Sequence, residues 1–337
     1  MAAALSPSRA SDFMQCPLLY RFRVVDRLPE RPSPAALRGT LVHAVLESLF
    51  DLPAEQRTQQ AALELLRPQW ERVLAERPEA AQLFGAGALG GDRFDGGVSG
   101  VVGGNAGGTG GGEAGKLEAG EPGAERPGAG DPGAERPGAE TDLDGWLASA
   151  SELIGRWFAL EDPTRLEPAD RELYVETTLD DGLVLRGYVD RLDVAADGRL
   201  RVVDYKTGKA PSEAFEAKAL FQMKFYALVL WRTRGRLPTM LQLVYLGNGE
   251  VLRYEPDEQE LLGVERKVRA LWDAIVLAAE TGDWRPSPSR LCTWCDHHAL
   301  CPAKGGTPPP IPEDALERVL GLKPATTDAM SRDGAIA

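Results

Sequence analysis

The chain has 337 residues, four cysteines and a formal net charge of −13 at pH 7. No run of about 18 apolar residues is present, which excludes a membrane-spanning helix. The opening "MAAALSPSRASDF" has no basic stretch followed by an apolar one, so no secretory leader is expected. A cytoplasmic setting follows, in which clustered cysteines read as metal ligands or redox groups rather than disulfides. The acidity is uneven. Residues 85–145 hold 11 Asp+Glu against 4 Lys+Arg, which is −7 of the −13 and leaves −6 for the remainder. A bulk charge of that size neither supports nor forbids a local basic groove.

In chain order, "SPSRASDFMQCPLLYRF" predicts a short helix carrying Cys16, from its Ser/Pro start and its apolar Phe13, Leu18, Leu19 and Phe22. "RGTLVHAVLESLFDL" has apolar residues at helical spacing and places His43 on its first turn. Residues 58–77 continue as an amphipathic helix. Residues 1–84 thus form an N-terminal helical part. Residues 85–145 contain 22 of the 37 glycines and a duplicated PGAERPGA, without apolar periodicity. Such a composition cannot bury enough surface to offset the entropy of ordering it, so a disordered Gly/Pro-rich insertion is expected. "LDGWLASASELIGRWFAL" returns to a helix.

Residues 146–304 hold the rest of the core. "RELYVETTL", "LVLRGYVDRLDV" and "LRVVDYKTG" are β-rich and are punctuated by Asp-Gly at 181–182 and 197–198, which predicts three antiparallel strands. A long helix follows to Gly235, then two strands around Asn248-Gly249, then a helix to Gly282 and a cysteine-rich segment. The tail, 305–337, begins with a Gly/Pro-rich stretch and is expected to be flexible. The order predicts an α/β (α+β) fold, a mixed central sheet flanked by helices.

The segment "GYVDRLDVAADGRLRVVDYKTGK", residues 187–209, carries the most chemistry. Folding it about Asp197 sets Asp190 opposite Asp204, with Cβ atoms roughly 4.5–5.5 Å apart. Two carboxylates that close repel unless a cation lies between them, and oxygen ligands suit Mg²⁺ or Mn²⁺. Lys206 shares the strand face of Asp204. Two metal-binding carboxylates with a neighbouring ammonium suit phosphodiester hydrolysis. The same pattern also fits a surface hairpin with an Asp–Lys ion pair.

The succession "GYVDRLD", "VVDYKTGK" and "QMKFYAL" resembles the signatures of the RecB-type nucleases of the PD-(D/E)XK superfamily. Gly187 and Asp190 match a GxxD motif, Asp204 and Lys206 match (D/E)xK, and Gln222 and Tyr226 match QxxxY. His43, in "RGTLVH", matches an upstream metal-ligating histidine. Glu176 resembles the glutamate one strand before the GxxD aspartate. The resemblance covers residues 5–84 and 146–304, and the PD of the family name stands here as Val189-Asp190. It implies a restriction-endonuclease-like fold and a metal-dependent DNA nuclease, an exonuclease acting on single strands or duplex ends. In that reading His43, Asp190, Asp204 and the Tyr205 carbonyl hold Mg²⁺ or Mn²⁺. Lys206 assists the attacking water, and Gln222 and Tyr226 position it or the DNA. Roles in repair, recombination or foreign-DNA processing are implied, beside a helicase or other repair proteins.

Cys292, Cys295 and Cys301 fall within ten residues, and Cys16 lies far upstream. From the spacing alone, zinc held by these three with His298 or Cys16 is chemically sound. One branch of the family resembled, which includes AddB-type helicase–nuclease subunits and CRISPR-associated RecB-like nucleases, joins its chain ends with a [4Fe-4S] cluster. There one cysteine precedes the nuclease core and a C-x2-C-x5-C follows it. This implies Cys16, Cys292, Cys295 and Cys301 as ligands, leaves His297 and His298 as solvated loop residues and packs Trp294 over the cluster. Two readings of other classes remain: a DNA-binding or assembly subunit of a helicase–nuclease complex with a dispensable site, and a metal-sensing or structural protein built on the cysteines.

Overall fold

Two glycines in the left-handed region set the centre of the fold. In the computed structural model, which describes residues 4–84, 142–210 and 213–321, Gly182 has φ 85° and Gly198 has φ 83°. Only glycine adopts such angles at no steric cost. The two turns fold β2 (Asp170–Thr178), β3 (Val184–Val194) and β4 (Leu200–Lys206) into an antiparallel meander. Helix α6 (Glu213–Arg234) then crosses over and returns the chain as β5 (Met240–Tyr245), parallel to β4. A crossover is what a parallel neighbour requires. Strand β6 (Glu250–Tyr254) pairs antiparallel with β5.

The N-terminus adds β1 (Ala4–Leu5), parallel to β3 at Val184 and Leu185. Strand β2 also pairs with these two residues, so β1 must occupy the opposite edge of β3. Strand β4 uses that same edge further along, at Arg191 to Val194. Between β1 and β4 the edge of β3 from 186 to 190 faces neither strand. This fork holds Gly187 and Asp190.

Helices cover both faces of the sheet. On one side α1 (Pro7–Gln15), α2 (Pro17–Tyr20), α6, α7 (Glu258–Thr281) and α8 (Ala315–Leu320) pack against Leu192, Leu200, Val202, Leu241 and Leu243. On the other, α3 (Pro34–Leu49), α4 (Gln59–Glu76) and α5 (Leu143–Leu160) pack against Val203, Tyr205, Val244 and Leu246. The mixed, helix-flanked sheet is the predicted class.

Several boundaries differ from expectation. Cys16 is not on a helix but at the joint between α1 and α2, with extended backbone, because Pro17 starts a new helix there. Helix α3 begins at Pro34, where the Ser33 hydroxyl accepts a hydrogen bond from Ala36 N, so His43 lies mid-helix rather than on the first turn. Residues 142–145, counted with the insertion, open α5: the Asp142 carboxylate caps Gly145 N at 3.0 Å and Trp146 is buried. The rest of the expected insertion, 85–141, lies outside the described residues. Residues 305–321, expected as flexible tail, are packed. Ala315 and Val319 are buried, Arg318 donates to the Val25 carbonyl at 2.8 Å, and Arg21 donates to that of Pro309. A short apolar helix face and two arginine contacts suffice to hold this segment; residues 322–337 lie outside the described set.

Arg191 crosses the second core at 1% exposure, paired with Glu161 at 2.8 Å, with Asp193 at 3.1 Å and with the Tyr205 hydroxyl. Burial alone would raise the Glu161 carboxyl, but hydrogen bonds and charge from Arg191 outweigh it and hold it below its usual 4.5. A lowered folded-state pKa contributes stability that is full above that value and lost as pH falls below it. Arg191→Met leaves Glu161 buried without its cation and is expected to cost about 3–5 kcal/mol in urea denaturation at neutral pH. The deficit should narrow as pH falls through the acid range.

Candidate active site

Register builds the site. In the first hairpin Arg171 faces Arg191 and Leu173 faces Val189, which sets Glu172 opposite Asp190. In the second, Arg191 faces Val203, which sets Asp190 next to Asp204. Three carboxylates therefore form one row across β2, β3 and β4. The row sits on a local distortion. Glu172 has φ 43°, a left-handed angle that is costly for a residue with a Cβ. Val189 and Leu192, an odd and an even position, both belong to the same core cluster, so the side-to-side alternation slips at Asp190–Arg191.

Helix α3 brings His43 over the row. Its Nδ1 lies 3.6 Å from Asp190 Oδ2 and 3.7 Å from Glu172 Oε1, and its Nε2–H donates to the Tyr205 carbonyl at 2.9 Å. Asp190 in turn accepts the Tyr205 N–H at 2.6 Å, a backbone donor that the opened ladder leaves for it. One ligand atom each from His43, Glu172 and Asp190 lies within 4.8 Å of the others. Lys206 Nζ stands 2.8 Å from Asp204 Oδ2.

Helix α6 braces the other end. Gln222 accepts from Lys206 Nζ at 3.0 Å and donates from Nε2 to Asp204 Oδ1 at 3.2 Å and to the Tyr226 hydroxyl at 3.3 Å. The fully buried Tyr226 ring lies against Gly187, where an added Cβ would come within 2.6 Å of Tyr226 Cε1. Glycine at 187 is thus a requirement of close approach, and it lets Tyr226 and Gln222 reach the fork.

The electrostatics are those of crowded, buried charge. Burial pushes the Asp190 carboxyl up against the opposing pull of His43. Burial also lifts Asp204 to about 6, with Lys206 pulling down and Asp190 pushing up. Burial would lower His43, but Asp190, Glu172 and Asp204 outweigh it and raise it to about 10. Protonated His43 and Lys206 therefore offset the row. The donor set around His43 Nδ1 fits a hard divalent cation: carboxylate oxygens of Glu172 and Asp190 and one imidazole. Asp204 is buried, and its Oδ2 lies against the Lys206 ammonium, which offsets its charge.

Of the residues singled out from the sequence, His43, Asp190, Asp204, Tyr205, Lys206, Gln222 and Tyr226 converge here. Glu176 does not. It is exposed, faces Arg186 in the ladder and accepts from the Tyr174 hydroxyl. Glu172 takes the place expected of it. The signal was present: folding the first hairpin about Asp181, as the second was folded about Asp197, sets 172 opposite 190.

The cysteines form a second constellation. Cys16, Cys292, Cys295 and Cys301 line one cavity together with His298. Ser287 N–H donates to Cys16 Sγ at 3.4 Å and Ser289 N–H to Cys292 Sγ at 3.2 Å. Burial raises the Cys295 thiol, and Cys16 and Cys301 add to this. Two expectations are corrected. His297 is not solvated but 4% exposed, with Nε2 3.1 Å from Glu30 and its ring edge-on to Phe22, because the loop folds back onto the first core. Trp294 is 45% exposed and does not line the cavity.

The chain is similar to several known proteins. A 137-residue stretch is 33% identical to the Gene 69 protein of Mycobacterium phage D29, covering 39% of this chain and 47% of that protein, so less than half of the relative is spanned. The Gene 69 protein of Mycobacterium phage L5 is 23% identical over 312 residues, 88% of this chain and 95% of that protein. Among solved structures, a protein of Eubacterium rectale named "Putative exonuclease" matches with a TM-score of 0.48 and 11% identity over 88% of both chains. The family model of the PD-(D/E)XK nuclease superfamily matches residues 4–92 and 123–302. With the carboxylate row, its lysine and its histidine brought together at one sheet edge, the chain belongs to the PD-(D/E)XK nuclease superfamily.

Proposed function

We propose that the chain is a Mg²⁺- or Mn²⁺-dependent DNA exonuclease of the RecB type, working in repair, recombination or foreign-DNA processing. The observation that carries this is the convergence of Asp190, Asp204 and Lys206 with His43 at one opened strand edge. His43 Nδ1, Asp190 and Glu172 would hold the cation, with Asp204 beside them; the Tyr205 carbonyl, expected as a ligand, instead accepts from His43 Nε2–H and orients the ring. A divalent cation there supplies charge to the scissile phosphodiester and lowers the pKa of a water molecule. Lys206 is placed to orient that water or to neutralise charge that develops on the phosphate. Gln222 keeps the ammonium in position, and Tyr226 anchors Gln222. Cation binding requires His43 to lose its proton, so metal and protons compete for the cleft. DNA is the partner, beside a helicase or other repair proteins. The assembly-subunit reading is disfavoured because every charged member of the constellation is in place.

The four cysteines are proposed to hold a [4Fe-4S] cluster that pins the α1–α2 joint to the C-terminal segment. All four cysteines line one cavity, which supports a shared ligand set. Backbone N–H groups aimed at two of the sulfurs support ligation as thiolates.

Asp204→Asn and Lys206→Ala are expected to cut Mn²⁺-dependent degradation of DNA at least about a hundredfold while melting temperature and circular dichroism stay near wild type. Unchanged activity in either would remove the site assignment. By calorimetric titration, Glu172→Gln should weaken Mn²⁺ binding about tenfold and Glu176→Gln less than about twofold; the reverse order would restore Glu176. Protein purified without oxygen should be brown, with about four irons per chain by elemental analysis, and Cys16→Ala should lose the colour. A colourless protein carrying one zinc would refute the cluster.

A further inference from the structure

We propose that Tyr174 and Tyr188, with Arg186, form a base-stacking subsite that holds one nucleobase of a single DNA strand beside the carboxylate row; this rests on the nuclease reading. The two tyrosines are direct cross-strand partners, their ring centroids 5.3 Å apart and the rings inclined at 57°. Tyr174 is 45% exposed, among the most open large apolar side chains described. Each stands two positions along its strand from a member of the row, Tyr174 from Glu172 and Tyr188 from Asp190. That is roughly 6.5 Å of strand, close to the reach of one nucleotide step.

Both tyrosines stand on the sheet face from which His43 reaches the row. Val175 and Val189, their chain neighbours, are buried in the core that contains α6. Strand alternation turns Tyr174 and Tyr188 to the other face, the one that α3 covers and from which His43 approaches. Strand β2 pairs only with β3 among the described residues, so no further strand lies beyond the pair.

The exposed ring is held in place. The Tyr174 hydroxyl donates to Glu176, and Arg186, the cross-strand partner of Glu176, reaches the same hydroxyl. A surface tyrosine gains little stability from such bracing. Fixing its plane in advance does lower the entropy lost when a flat ligand stacks on it. Every base has a π-face, and stacking on an aromatic side chain tolerates any sequence. Arg186 adds a cation at the edge of the platform for the adjoining phosphate. Bases in an intact duplex are already stacked, so the subsite selects single strands or frayed ends. Glu176 thereby has a place as the residue that orients Tyr174.

The test measures binding of labelled single-stranded and duplex oligonucleotides with Ca²⁺ in place of Mn²⁺, then cleavage with Mn²⁺. Tyr174→Ala and Tyr188→Ala should each weaken single-strand binding about tenfold and raise KM similarly, with kcat within about threefold and duplex binding within about twofold. Tyr174→Phe should stay near wild type. Moving one abasic nucleotide along the strand should find a position that costs wild-type protein a similar factor and costs Tyr174→Ala nothing more. Wild-type protein that is indifferent to abasic placement overturns the proposal, whether or not the alanine variants fold. So does a loss confined to kcat, or a Tyr174→Ala effect confined to oligomeric state, which would make the patch a contact between two copies. Failure of wild-type protein to cut DNA removes the nuclease reading but leaves the abasic comparison to decide the subsite.

Discussion

Three carboxylates on adjacent strands repel one another, and a buried row of them persists only where cations stand beside it. Here His43 and Lys206 do so, one at each end of Glu172–Asp190–Asp204. Much of the surrounding architecture follows from placing those two cations. Helix α3 packs on one face of the sheet at a height that brings His43 over the first hairpin. Helix α6 packs on the other and holds Lys206 through Gln222. The site is therefore drawn from both layers of the fold, with the sheet edge between them.

The opened edge of β3 makes this possible. If β4 had stayed paired with β3 beyond Arg191, the Tyr205 N–H would have been spent on a backbone carbonyl. Instead it goes to the Asp190 carboxylate, and the Tyr205 carbonyl meets His43. The same parting gives room for the Tyr226 ring against Gly187. On the far side of Tyr205, its hydroxyl joins Arg191 and Glu161, a buried pair that ties α5 to the sheet. A single residue thus connects the cleft to the second core. The left-handed φ of Glu172 is the strained point of the arrangement and lies where the carboxylates converge, as stored strain commonly does.

Much of this could be read from residue order because the relevant rule is short-range. An Asp-Gly turn fixes a hairpin's register, and register converts sequence numbers into neighbours by simple reflection. Reflection about Asp197 paired Asp190 with Asp204. The same operation about Asp181 would have paired Glu172 with Asp190, whereas weighing Glu176 by resemblance alone led four residues along the strand. Helix spacing likewise placed Gln222 and Tyr226 on one face. Boundaries were harder where a proline or a cap decided them: Pro17 breaks the helix at Cys16, and Asp142 starts α5 inside a glycine-rich text.

The amino-acid order by itself determined the strand meander, the alternation of elements that gives a mixed sheet between helices, and the candidate acidic and lysine residues. These depend on local periodicity and turn chemistry, which a chain carries with it. Only the tertiary structure decided which side of the sheet each helix covers, and hence that His43 joins Glu172 and Asp190. It also brought Cys16 to a cavity shared with Cys292, Cys295 and Cys301, and packed residues 305–321 against the first core. Those outcomes depend on contacts between segments more than a hundred residues apart. No local preference specifies such contacts; burial of the two cores does.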